Sequence, residues 1–177
     1  MWTTVMQPDV AATVEIITPE ILKKALTRWQ QARSLPEELL DLQLLSAVAA
    51  RSQVVRSIWL YDYLYEVAIG HLRLCREAVG IPHLDTLPVS REALKGLLAR
   101  DFNARDGFLP PPELTAWSAL FHRYFLPITI SPGELAGSAM ISDRHMRRQL
   151  QMGLALLTRA LHRAELVAWE NSKVALE

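Results

Sequence analysis

Apolar residues recur every three or four positions along most of this chain, the period of a helix with one buried face. Leucine, alanine, arginine and glutamate dominate these runs, and all four favour helix. Strand signals are weak. No Asn-Gly or Asp-Gly pair joins two alternating runs, and Asp106-Gly107 sits among loop residues. The pattern predicts an all-α protein.

Caps and breakers divide that pattern into elements. Residues 1–17 read as a loose leader. Thr18-Pro19-Glu20 opens a first helix, with Thr18 as cap and Pro19 at the first helical position, where its missing N–H costs nothing. It runs to about Arg33 with Ile21, Leu22, Ala25, Leu26 and Trp29 on one face. Ser34 and Glu37 have capping-box spacing, with Pro36 in the first turn. That predicts a second helix carrying Leu39, Leu40, Leu42, Leu44, Leu45 and Val48. A third spans about Ser52 to Val79 and stops at Gly80-Ile81-Pro82. Ser90 caps a fourth, ending near Phe102. The run from Asn103 to Pro111, holding Asp106-Gly107 and the prolines that begin at Pro110, is the internal boundary. A helical bundle over 18–104 therefore precedes a second part over 112–170, whose first helix covers about Pro112 to Leu126.

Within the third helix, Trp59, Tyr61, Tyr63 and Tyr65 fall on every second position, which imitates a half-buried strand. The flanks, Gln53 to Arg56 and Val67 to Glu77, read as helix, so the whole segment is assigned helix. It would be apolar nearly all round, broken by Asp62 and Glu66, and such a helix is central in a core or lies at an interface.

The chemistry-bearing stretch is Ser131 to Leu157. Ser131 and Glu134 form a capping box with Pro132 first in the helix, predicting a short helix from Pro132 to Ala139. Met140-Ile141 follow, and Ser142 caps a longer helix that starts at once. Ala136 supplies the small side chain that two crossing helices need. Leu135, Ala139, Ile141, Met146 and Leu150 supply the apolar contacts between them. Short helix, tight turn and longer helix make a C-terminal helix-turn-helix with a long last helix.

These residues resemble region 4 of bacterial sigma factors and related transcriptional regulators. The likeness rests on Glu134-Leu135-Ala136, Ile141-Ser142, Met146, Leu150, Gly153, Leu154 and Leu157, with Leu120, Arg123 and Tyr124 in the helix before. It covers about residues 112–165. It implies transcription regulation by a domain that binds duplex DNA. The family's turn carries glycine where this chain has Met140, so a distorted or differently built turn is expected here.

In such a unit the second helix enters the major groove and its first turns reach base edges. Ser142, Arg144, His145, Arg147, Arg148 and Gln151 are then the exposed candidates, together with Asp143, which suits a helix N-terminus without any DNA. Arg144, Arg148 and Gln151 lie at i, i+4 and i+7 and share a face. Arginine bridges guanine O6 and N7, and glutamine bridges adenine N6 and N7. Arg147, Arg123 and Ser131 suit phosphate, which sets position rather than sequence. From Leu120 to Ala164 there are six basic and two acidic residues, a local net charge of +4. A solvated outer helix face accounts for the same arginines, and both readings stand. The 3–4 spacing of Leu150, Leu154, Leu157, Leu161 and Ala164 likewise suits packing on upstream helices or a homodimer seam.

Composition excludes several classes. Of 177 residues half are apolar and 21% are charged, which is a foldable core. Nineteen basic residues balance nineteen acidic ones, unlike an evenly basic histone-type binder. One cysteine excludes an internal disulfide and a cysteine-based zinc cluster. No stretch approaches eighteen uncharged apolar residues, and Met1 to Val10 lacks a secretory pattern, so a cytoplasmic protein without membrane contact is expected. His71, Cys75, Glu77 and His83 are close in sequence, but no second ligand pair accompanies them, so no metal is expected. There is no nucleophile elbow and no phosphate-binding glycine loop. Glu37-Glu38 open a helix and complement its dipole. No cofactor, no small-molecule substrate and no enzyme activity are inferred. The aromatic cluster from Trp59 to Tyr65 suits core packing better than base stacking, because basic residues do not interleave with the rings. Leu176-Glu177 resembles a cloning-site remnant, which suggests the N-terminal part of a larger protein.

The leading expectation is thus a non-enzymatic regulatory domain that binds duplex DNA. The alternative is a protein-protein interaction or oligomerisation module that keeps the helix-turn-helix shape without DNA. The two differ in whether Arg144, Arg147 and Arg148 stand open on the surface.

Overall fold

The computed structural model describes residues 10–82, 86–103 and 109–174, with side chains from residue 13. Asp106, Gly107 and Phe108, His83, Trp2 and the terminal Leu176-Glu177 lie outside this set. Every regular element among the described residues is helical: α1 (Val10–Ile16), α2 (Pro19–Ala32), two 3-10 segments (Glu37–Leu39 and Gln43–Val48), α3 (Gln53–Ala78), α4 (Arg91–Phe102), α5 (Pro112–Tyr124), α6 (Pro132–Ala139) and α7 (Asp143–Val174). The protein is all-α. None of these helices is long and apolar enough to cross a membrane. The chain forms two compact units, one of residues 1–60 with 158–177, the other of residues 61–157.

Local chemistry explains most helix ends. Thr18 Oγ1 accepts the Ile21 N–H (3.2 Å) and Ser90 Oγ accepts the Ala93 N–H (3.1 Å). At the end of α3, Gly80 takes φ +70, where a side chain would be strained, and the Ile81 N–H returns to the Arg76 carbonyl (2.8 Å). The stretch expected to be loose leader holds α1. The strand-like aromatic alternation is helix throughout α3.

The second helix expected from Ser34 is absent. Residues 37–48 form the two 3-10 segments instead, and Ser34 Oγ accepts from Arg28 Nε (3.2 Å). Leucines still anchor the stretch: Leu35, Leu39, Leu40, Leu42 and Leu45 are buried in the first unit. Each contributes about 2 kcal/mol by leaving water. Leu42, which precedes the second 3-10 segment, offers no side-chain cap. Glu165, on α7 and fully buried, does so from afar. Its carboxylate accepts the Gln43 N–H (2.7 Å), the Leu44 N–H (3.0 Å) and the Trp169 indole N–H (3.0 Å).

The second unit is organised around α5, not around the aromatic helix α3. Leu114 through His122 and Tyr124 are all buried. Phe121 and Phe125 meet Tyr65 and Tyr61 of α3, with centroids 5.6 and 5.5 Å apart. Packing on α7 is close: a Cβ on Gly153 would stand 2.6 Å from the Ala116 carbonyl oxygen and 2.8 Å from Leu120 Cβ. Glycine there lets two backbones touch. α4 packs on both α5 and α6, and α5 on α6.

A buried polar network crosses this unit. Arg76 of α3 makes a bidentate pair with Asp101 of α4 (2.9 and 2.7 Å), and Ser118 of α5 donates to Asp101 Oδ2 (2.5 Å). His122 Nδ1 donates to the Ser118 carbonyl oxygen (2.7 Å), which leaves Nε2 buried without a partner. Burial holds the His122 imidazole down at about 4, although Asp101 pulls the other way.

Candidate nucleic-acid interface

The eight candidate residues lie on α5, at the cap of α6, and at the cap and start of α7, all within residues 61–157. The local build begins at Ser131. Its hydroxyl accepts the Glu134 N–H (3.2 Å), while the Glu134 carboxylate accepts the Ser131 N–H (2.9 Å), completing the expected capping box. Pro132 follows at the first helical position. The Ser131 backbone N–H first, then the Ser131 side chain, and then Arg91 hold the Glu134 carboxyl below its ordinary pKa.

Met140 ends α6. It adopts the left-handed conformation, φ 57 and ψ 39. Its N–H bonds to the Gly137 carbonyl (3.3 Å), and the Ile141 N–H bonds to the Ala136 carbonyl (3.0 Å). That is the Schellman pattern a glycine would form, so the expected distortion does not occur. Methionine accepts the strain there, and its side chain projects into solvent at 75% exposure. Beneath the turn Leu135, Ala136, Ala139, Met146 and Leu150 are buried together. Ser142 then caps α7, accepting the His145 N–H (3.2 Å). The fold-back sets the position of a Gly133 Cβ only 3.9 Å from Asp143 Oδ2. The N-terminal turns of α6 and α7 therefore lie side by side.

The start of α7 has a sharply divided surface. Met146, Gln149 and Leu150 face inward; Ser142, Arg144, His145, Arg147, Arg148 and Gln151 face outward and are exposed. Arg144, Arg147, Arg148 and Gln151 line one shallow surface depression with Asp143. Gln149 supports this turn from below. Its amide donates to His145 Nε2 (3.0 Å), and its Oε1 lies 2.9 Å from the Thr115 hydroxyl of α5, whose single proton is shared with the Pro112 carbonyl. His145 is thereby fixed in orientation.

Two candidates stand apart from the arginine group. Arg123, at the end of α5, holds its guanidinium 5.0 Å above the Tyr124 ring. Ser131 commits its hydroxyl and its N–H to the capping box, so only its place at the α6 N-terminus remains as its contribution. Two basic residues were not visible as candidates in the sequence: Arg91 and Lys95, exposed one turn apart on α4, with Arg91 Nη2 bonded to Glu134 Oε1 (2.7 Å). Only the packing of α4 on α6 brings them beside this surface, and no local spacing signals it.

Other constellations do not assemble. Among the described residues no three potential ligands gather for a metal. His71 stacks flat on Trp117 at 4.7 Å, and Cys75 is part-buried, its thiol pushed up by burial and then by Glu113. Asp101, Ser118 and His122 have the residue types of a hydrolytic triad, yet each is sealed from solvent and Ser118 donates to the aspartate. No protein-family model matches this chain, and neither a curated protein nor a solved structure matches it.

Proposed function

We propose that the chain is a non-enzymatic regulatory domain that binds duplex DNA, inserting the start of α7 into the major groove with α6 lying across it as a helix-turn-helix. The observation that carries this reading is the open row of Arg144, Arg147, Arg148 and Gln151 along one side of a helix whose other side is locked into the core. Arg144 and Arg148 have the length and planarity to bridge guanine edges, and Gln151 suits adenine. Arg147 and the α6 N-terminus suit phosphate. The uncovered arginines favour this reading over a helix-turn-helix shape used only for packing.

Fluorescence-anisotropy titration of a mixed-sequence duplex at several salt concentrations tests it. The expected result is binding that weakens linearly in log salt, and an Arg144→Ala/Arg148→Ala protein that binds about tenfold or more weakly. Absence of binding at low salt contradicts the proposal.

A second reading, an interaction or homodimerisation module, is favoured by one other feature. Val54, Val55, Ile58 and Trp59 place apolar side chains on the exposed surface of α3, with Val54 at 63% and Trp59 at 42% exposure. Sedimentation equilibrium distinguishes it: a dimer that an Ile58→Glu change dissociates supports this reading, and a monomer at all concentrations opposes it.

A further inference from the structure

We propose that Arg91 and Lys95 of α4 form a second clamp for a phosphodiester backbone, and that Glu134 occupies this clamp until nucleic acid displaces it. The inference rests on the DNA-binding reading above and adds a partner contact and a control to it. The two cations sit at i and i+4, so they project from one side of α4. Together with Glu134 and Ser138 they rim a groove floored by Leu94 and Ile130. Arg91 is 76% exposed on its side chain and already holds a carboxylate oxygen at 2.7 Å. An anion thus has a formed seat there, and the seat's present occupant belongs to the protein itself.

A chain of contacts ties this groove to the arginine row. Arg91 bonds to Glu134; Glu134 stands in the first turn of α6; a Cβ on the neighbouring Gly133 would stand 3.9 Å from Oδ2 of Asp143, the first residue of α7. Three serine-capped helix starts, at Ser90, Ser131 and Ser142, are thereby gathered at one end of the unit. Arg144, Arg147 and Arg148 follow the last of these starts in the chain and Arg91 and Lys95 the first, and all five are exposed. A strand contacted by α7 would continue over α6 toward α4. Glu134 repels that backbone while it neutralises Arg91, so phosphate and Glu134 compete for one guanidinium.

Glu134→Gln separates the two roles of this residue. Glutamine completes a capping box as glutamate does, but releases Arg91. Using the same duplex titrations, Glu134→Gln is expected to raise affinity about three- to tenfold, and to lose most of that gain in an Arg91→Gln background. Arg91→Gln/Lys95→Gln is expected to lower the salt slope by about 2 without changing the preferred sequence. All three positions are exposed, and matching thermal melts verify that the variants fold. A wild-type slope in the α4 variant, or equal gains from Glu134→Gln with and without Arg91, overturns the clamp. If such results accompany weakened binding by Arg144→Ala/Arg148→Ala, the clamp alone fails. If the wild-type chain binds no duplex, the DNA reading and the clamp fall together.

Discussion

Two stretches of this protein carry a serine three residues before a glutamate with a proline between them, and they fold differently. Ser131-Pro132-Gly133-Glu134 starts α6 with both capping bonds formed. Ser34-Leu35-Pro36-Glu37 starts no α-helix and leads into 3-10 turns. The register of the proline separates them. A residue before proline is pushed out of the α region. Before Pro132 that residue is Ser131, the cap, which is extended anyway at φ −73 and ψ 157. Before Pro36 it is Leu35, which would have to be the first helical residue. The conflict moves the helical start beyond Pro36, itself extended at φ −58 and ψ 141. One element is therefore set by its own neighbours. The other gives way to 3-10 turns, the second of which takes its support from α7 through Glu165.

Several substitutions break or sharpen that contrast. The largest effect is expected at Glu165. Glu165→Ala leaves three N–H donors without their acceptor and should cost about 3–4 kcal/mol in denaturant unfolding, whereas a loss under about 1 kcal/mol would show that the 3-10 segment stands without it. α6 and the start of α7 rest instead on α5, whose buried groups include His122. Its value lies below the ordinary 6.5, so the unfolded chain takes up the proton first. Stability is complete above pH 6.5 and falls by about 3 kcal/mol as the pH drops toward 4. His122→Leu should flatten that part of a pH-dependent melting profile; an unchanged profile assigns the acid response to other groups.

The cap itself comes next. Ser131→Ala should cost about 1 kcal/mol and Ser34→Ala less than about 0.5 kcal/mol, by thermal or urea unfolding. Equal costs would erase the distinction between the two stretches. Met140→Gly has the smallest effect and the opposite sign. Relief of the left-handed methionine, offset by the chain entropy of glycine, should stabilise by up to about 1 kcal/mol. Destabilisation there would mean that the exposed thioether side chain makes contacts of its own.

Much of this arrangement is legible in the sequence because it is local. Caps at Thr18, Ser90, Ser131 and Ser142 and the glycine stop at Gly80 fix helix ends within a few residues. The outward set from Ser142 to Gln151 follows from helical period alone. What escapes depends on distant partners. Nothing near residue 43 announces a carboxylate 122 positions away. The apolar runs of α3 and α5 look alike, yet α5 is enclosed while Val54, Val55, Ile58 and Trp59 of α3 face outward. Arg91 and Lys95 join the candidate surface only through packing of α4 on α6.

The most direct measurement maps where a duplex lands. Amide chemical shifts of the isotope-labelled protein, followed during titration with duplex DNA, are predicted to move at Ser131–Glu134, at Ser142–Gln151 and around Arg91 and Lys95. Those from Val54 to Trp59 should stay in place. Shifts confined to the exposed face of α3, or none at saturating duplex, would contradict the account.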